Sequence, residues 1–303
     1  MSRPTALDLP ENVSAHRLET ARGSFAVLDA SPAPDAPPRG TALLVPGFTG
    51  SKEDFLPLLT PLSAAGFRVV AVDGRGQYES GGPREESAYA QGELAADVVA
   101  QTAALAAADG GGPVHLLGHS LGGLVVRAAV IGQGPGAWAS LTLMSTGPGA
   151  ISEEQQTRTQ LLIDVLPVMD LEAVWQAMRS MDAENGEQPD TPPAVEAFLH
   201  RRWVTTLPEQ LAVTARQLMD EPDRVDELAA AGPLPKLVIS GEVDHVWPLS
   251  WMDAMATRLG AGRAVIKGAE HSPNTERPAE TAAALIAFWT GGTGDDSTSL
   301  TGE

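Results

Sequence analysis

The chain has 303 residues, a net charge of −19 and no cysteine. That length accommodates one large α/β domain with an insertion, or two small domains. The acidic field excludes nucleic acid and anionic membrane surfaces as partners. The absence of thiols excludes disulfides, thiolate catalysis and thiolate metal sites, and neither a metal nor a cofactor is expected. The first 20 residues show no basic stretch leading into an apolar run, and no segment is apolar enough to span a bilayer. A cytoplasmic protein acting on a small molecule is the expectation.

In chain order, residues 16–19 and 24–28 read as two strands of a hairpin turning at Ala21-Arg22-Gly23. Residues 31–39 are proline-rich and read as a loop. The apolar run 41–45 reads as a strand buried on both faces, followed by the loop Pro46-Gly47-Phe48-Thr49-Gly50-Ser51 and a helix over 54–65. A strand over 67–72 ends in Asp73-Gly74-Arg75-Gly76. A long helix spans 87–108, a strand 114–117, a helix 121–131 and a strand 140–144. The alternation then stops, and residues 147–232 read as helical throughout. It resumes with a strand at 237–240, a helix over 250–259, a strand at 264–266 and a last helix over 279–288. Residues 291–303 are Gly, Ser, Thr and acid, and read as a disordered tail.

Repeated strand–helix alternation predicts an α/β class, with a mostly parallel central sheet flanked by helices. The core would comprise residues 1–146 and 233–290, with 147–232 inserted as a helical cap over the carboxyl edge of the sheet.

The richest segment is Gly118-His119-Ser120-Leu121-Gly122-Gly123, a G-x-S-x-G turn between an apolar strand and an apolar helix. Such a turn exposes the serine hydroxyl at the end of a sheet, beside backbone N–H groups that open the helix. Gly118 and Gly122 stand where a Cβ would crowd the turn, and Gly123 allows close packing of the helix. A serine needs a base. His115 sits inside a buried strand, His119 is part of the turn itself, His16 lies in the first strand, His200 in the insertion, and His245 beside Asp244 reads as a pocket or a surface residue. His271 follows the last strand, at the correct sheet edge. A carboxylate must fix the imidazole tautomer and stabilise its charged form. Asp244, in the loop after 237–240, is at that edge. Glu242 is its rival, nearer the strand end.

The order Ser120…Asp244…His271, at strand ends, resembles that of an α/β-hydrolase-fold serine hydrolase with a helical cap, of the esterase and lipase type. The resemblance runs from about residue 16 to 289. It implies an oxyanion hole made by the N–H groups of Phe48 and Leu121, although Pro46 stands where the family usually has histidine. Asp73-Gly74-Arg75-Gly76 resembles the family's D-x-R-G turn and reads as a structural brace. The family pattern usually continues with another glycine, but here Gln77-Tyr78 follows.

The resemblance implies a carboxylic-ester hydrolase working through an acyl-enzyme, on a medium-sized, largely apolar ester or a lactone. Tyr78, Trp175, Met178, Trp203 and Trp247 are the expected substrate-binding residues. Taken singly, each of the aromatic and methionine side chains in the insertion better fits a role in packing it onto the core, while collectively some of them must face the cleft that a cap covers. Two other readings share the scaffold: hydrolysis of a carbon–carbon bond in a diketone, and a non-catalytic binding protein.

Overall fold

The computed structural model describes residues 2–184 and 191–291. Their centre is an eight-stranded sheet of β1 (Val13–Thr20), β2 (Gly23–Ala30), β3 (Gly40–Val45), β4 (Phe67–Val72), β5 (Val114–His119), β6 (Trp138–Met144), β7 (Lys236–Gly241) and β8 (Gly262–Ile266). Their spatial order is β1-β2-β4-β3-β5-β6-β7-β8. The β1–β2 and β2–β4 pairs are antiparallel, and every pair from β4–β3 to β7–β8 is parallel. This is the α/β-hydrolase fold, a mostly parallel sheet flanked by helices.

The core follows from the two-residue period of a strand. In β3, Leu43 and Val45 face one hydrophobic cluster while Ala42 and Leu44 face the other. In β4, Val70 and Val72 face the first cluster, Val69 and Ala71 the second. On the first face lie α2 (Gln91–Ala108), α3 (Leu121–Gln133) and α9 (Leu249–Leu259), on the second α1 (Leu56–Ala64) and α11 (Pro278–Trp289). A strand with apolar side chains on both faces needs such double cover, so β3 reads as an unbroken apolar run.

Between β6 and β7 lie α4 (Glu153–Val165), α5 (Leu171–Glu184), α6 (Pro193–Thr205), α7 (Pro208–Asp220) and α8 (Val225–Ala230). Val225 and Leu228 of α8 join the main core. Helices α5 and α6 instead share a cluster of their own with Leu211 of α7, containing Trp175, Phe198 and Trp203.

Several expected boundaries move. The helix expected over 54–65 is a 3-10 turn (Lys52–Phe55) running into α1. The helix expected over 87–108 begins at Gln91, because Ala90 adopts an extended ψ of 143° and separates a 3-10 turn (Glu86–Tyr89) from α2. A short α10 (Pro273–Glu276) follows the His271 loop. Four residues are too few to show a helical period. The tail expected at 291–303 lies outside the described residues beyond Gly291.

Candidate active site

The chain passes from β3 to β4 on one side and to β5 on the other, so the strand order reverses between β3 and β5. The crevice outside the carboxyl ends of such strands is where open α/β sheets bind ligands. Among the described residues, four non-glycine residues have a positive φ, and each follows a sheet strand at this edge: Thr49 (58°) after β3, Tyr78 (38°) after β4, Ser120 (54°) after β5 and Ser145 (46°) after β6. Backbone in this region is strained by about 1–3 kcal/mol per residue and is held only where its surroundings enforce it.

The enforcement at Ser120 is visible. Its N–H donates to the Met144 carbonyl at 2.9 Å, and its own carbonyl accepts the Gly123 N–H at 2.9 Å. A Cβ on Gly118 would strike the Gly122 backbone, one on Gly122 would strike the Val45 and Pro46 carbonyls, and one on Gly123 would strike Thr146. The small residues thus press β5, α3 and the β3 loop together. Leu121 opens α3, so its N–H has no intrahelical partner and is free to face a ligand. A Cβ on Gly47 would sit 3.0 Å from Ser120 Cβ, which places the Phe48 loop directly beside the serine.

Three side chains expected to act together do meet. His271 Nε2 lies 3.0 Å from Ser120 Oγ, and His271 Nδ1 lies 2.9 Å from Asp244 Oδ2. The carboxylate can only accept, so Nδ1 carries the proton and Nε2 is left to accept from the serine hydroxyl. Asp244 is fixed from the other side, because its Oδ1 accepts the Val246 N–H at 2.8 Å and the Trp247 N–H at 3.1 Å. Its side chain is 0% exposed. The two loops are joined by the Glu242 N–H, which donates to the Ala269 carbonyl at 2.8 Å. Glu242, the rival carboxylate, accepts the Gly268 N–H instead.

Four of the five other histidines have partners of their own, and His245 is exposed outside the cleft lining. His119 is buried, and its Nε2–H donates to the His271 carbonyl at 2.8 Å. Burial, with the neighbouring His271 adding to it, drives its pKa down to about 3, so it stays neutral beside the site. His115 pairs with Ser140 Oγ at 2.8 Å and stacks on Trp289, a satisfied core residue. His16 lies 3.2 Å from Asp29, and His200 lies 2.6 Å from Glu172.

The cleft at Ser120 has a volume of about 310 Å³. Its lining includes Phe48, Thr49, His119 and His271, then Ile151, Gln155, Thr159, Leu218 and Val246, and also Ser2, Glu270, Ser272 and Glu276. None of Tyr78, Trp175, Met178, Trp203 and Trp247 is in that lining. Trp247 is fully buried behind the site: its indole N–H donates to the Gly149 carbonyl at 2.9 Å, and its ring stacks 6.2 Å from that of His271. Trp203 donates to the Leu171 carbonyl at 2.8 Å, locking α6 to α5. Trp175 is buried in the same cluster, and Met178 packs against it. Tyr78 packs edge-on to Phe198, and Arg201 donates to its hydroxyl at 3.2 Å. Packing accounts for Trp175, Met178 and Trp203, because α5 and α6 bury their apolar faces on each other, while Trp247 belongs to the main core behind the site.

Two residues emerge that sequence reasoning did not single out. Gln77 donates from Nε2 to the Gly47 carbonyl at 2.9 Å and accepts the Gly74 N–H at 3.0 Å. It thereby fastens the β3 loop, which has Pro46 where a supporting histidine was expected. The departure from glycine after Gly76 was the available signal. Lys52 is the second. Its ammonium meets Glu53 at 2.8 Å, Asp73 at 2.9 Å and Glu79 at 2.7 Å. Burial works against that charge, yet Asp73 and Glu53 outweigh it and hold the ammonium above its ordinary value. Asp73 also accepts the Lys52 N–H at 2.7 Å, bracing the loop as expected of the turn, whereas Arg75 turns away to Asp97 at 2.6 Å.

Among the described residues no group of three or more His, Asp or Glu side chains is arranged to hold a metal ion. No described helix is long and apolar enough to cross a membrane.

Comparison with known proteins agrees with this architecture. The chain is 27% identical over 231 residues to a monoacylglycerol lipase of Mycolicibacterium smegmatis, covering 75% of this chain and 78% of that one. Its fold is similar to an esterase from Exiguobacterium antarcticum, with a TM-score of 0.72 at 19% identity, covering 91% of this chain and 100% of that one. It is also similar to the enol-lactonase from Burkholderia xenovorans, with a TM-score of 0.67 at 22% identity, covering 88% and 97%. The profile of the alpha/beta hydrolase family matches residues 42–284, and the chain belongs to that family.

Proposed function

We propose that this protein is a serine hydrolase of carboxylic esters that works through an acyl-enzyme. The observation that carries the reading is the continuous relay of Asp244 Oδ2 to His271 Nδ1 at 2.9 Å and His271 Nε2 to Ser120 Oγ at 3.0 Å. Ser120 Oγ attacks the acyl carbon while His271 Nε2 takes its proton. Asp244 stabilises the imidazolium, and the Phe48 and Leu121 N–H groups receive the oxyanion. Each such donor is worth ~3–4 kcal/mol in the transition state. The leaving alcohol departs with the proton from His271. Water then attacks the acyl-enzyme, with His271 again as base, and frees the acid and Ser120.

The substrate follows from the cleft. A volume of about 310 Å³ fits a small to medium ester. Ile151, Leu218, Val246 and Phe48 offer apolar contact, while Gln155 and Thr159 offer hydrogen bonds. Helices α4 to α7 act as the cap within the 147–232 insertion, supplying Gln155, Thr159 and Leu218 to the cleft. The similarity to a monoacylglycerol lipase supports an ester with an aliphatic acyl chain.

The test is a small fluorophosphonate probe together with a panel of p-nitrophenyl esters of increasing acyl length. The expected result is labelling and turnover in the native chain, both lost in Ser120→Ala with the fold unchanged by circular dichroism. Retained turnover in Ser120→Ala refutes the assignment.

A further inference from the structure

The cleft at Ser120 has two unlike walls. One carries Ile151, Gln155 and Thr159, spaced four residues apart at and along the start of α4, with Leu218 of α7 beside them. The Leu218 carbonyl accepts the Ile151 N–H at 3.0 Å. The other wall adjoins His271. There Ser272 and Glu270 are tied together, because both of their N–H groups donate to the Glu276 carboxylate.

A residue from the far end of the sequence completes this second wall. Ser2 lines the cleft, its Oγ lies 2.9 Å from Ser272 Oγ, and its carbonyl accepts from Arg202 Nη2 at 2.9 Å. Arg202 is fully buried in α6 and also grips Asp54 Oδ1 at 2.7 Å, beside the loop that bears Phe48. Further along, Pro4 is buried, and Leu7 packs against the cluster of α5 and α6. The segment is therefore seated at three separate points. A fully buried guanidinium that neutralises one carboxylate and holds a backbone carbonyl is a built anchor rather than a chance surface contact.

In the acylation step the histidine hands its proton to the leaving group. On the hydrolase reading above, on which this rests, the alcohol portion of the ester leaves on the His271 side. We infer that Ser2, held in place by the seated segment 2–7, is a built-in wall of the substrate cleft and limits the bulk of the alcohol portion the cleft admits.

The experiment measures kcat/KM on the full-length protein with two ester pairs. Methyl and benzyl butyrate vary the alcohol, while methyl butyrate and methyl octanoate vary the acyl chain. Ser2→Trp fills the wall and should lower the benzyl-to-methyl ratio about tenfold, the scale of a lost pocket fit. Pro4→Asp places a carboxylate in a buried seat, releases the segment and should raise that ratio severalfold. The acyl ratio should move by less than about twofold in both. An unchanged alcohol ratio in Ser2→Trp, or a shift confined to the acyl pair, overturns the inference. If Pro4→Asp does not fold, Ser2→Trp decides alone. Fluorophosphonate labelling of the native chain separates the two levels. Native protein that neither labels nor cleaves any of the esters fails the hydrolase reading, and the wall with it. Native protein that does both, with ratios indifferent to Ser2, fails the wall only.

Discussion

Replacing Asp244 by asparagine keeps the side chain's shape and removes its charge, and the surroundings dictate which way the amide must point. Asp244 Oδ1 accepts two backbone N–H groups, from Val246 at 2.8 Å and Trp247 at 3.1 Å. The amide oxygen has to stay there, since an NH₂ group facing two donors would leave buried groups unpaired at ~1–3 kcal/mol each. The NH₂ group is thereby turned toward His271 Nδ1, now 2.9 Å from a carboxylate oxygen. Only a tautomer with Nδ1 unprotonated can accept from it, and that tautomer puts the proton on Nε2, facing Ser120 Oγ. A protonated Nε2 cannot take the serine proton. The expected fall in kcat is about 10⁴, or ~5 kcal/mol, the scale known for this substitution in a serine triad. Both Val246 and Trp247 bonds survive, so the denaturation midpoint should stay near that of the native protein. The assay is pre-steady-state release of p-nitrophenol from a short-chain ester, beside a urea titration. A kcat within about tenfold of the native value refutes the tautomer argument.

Gln77→Leu removes the donor to the Gly47 carbonyl and should lower kcat about tenfold, more than it changes KM, because the loop it fastens carries the proposed oxyanion donor Phe48; steady-state kinetics on one ester decide it. Gly122→Ala drives a methyl group into the Val45 and Pro46 carbonyls and should destabilise the protein by ~1–3 kcal/mol while reducing fluorophosphonate labelling, both measurable on the same sample. Stability should also fall in mild acid. The folded pKa values of His115 and His119 are lowered from 6.5 to about 4 and about 3, by burial in both cases. The unfolded chain therefore binds protons first, so their contribution is complete above pH 6.5 and is lost as pH falls through the window down to the folded values. At about pH 5 each histidine lowers stability by ~2 kcal/mol, and His115→Phe should remove about half of the combined effect in denaturant titrations at the two pH values.

The side chains that meet at the sheet edge, Ser120, His271 and Asp244, were legible because their signals are local. An apolar run followed by Gly-x-Ser-x-Gly needs only ten residues to declare a strand, a turn and a helix. Asp244 and His271 stand just after short apolar runs, and in a parallel sheet the end of a strand is a position in space as well as in sequence. The glycines could be read for the same reason, since a crowded turn admits no Cβ whatever lies around it. The boundary that moved at Ala90 did so where a single backbone angle outweighed side-chain pattern.

The cleft was a different matter. Trp175, Met178 and Trp203 sit on amphipathic helices, and such a helix has the same sequence whether its apolar face meets a ligand or another helix. Here α5 met α6, and the cleft went to Ile151, Gln155, Thr159 and Leu218 instead. Ser2 reaches Ser272, and Gln77 reaches Gly47, across separations that no local pattern encodes. Composition, the succession of strands and helices and the sites of possible chemistry were therefore properties of the sequence itself. Which side chains face Ser120, and what holds its loop in place, was decided only when distant segments packed, because enclosure and hydrogen bonding depend on what arrives from elsewhere in the chain.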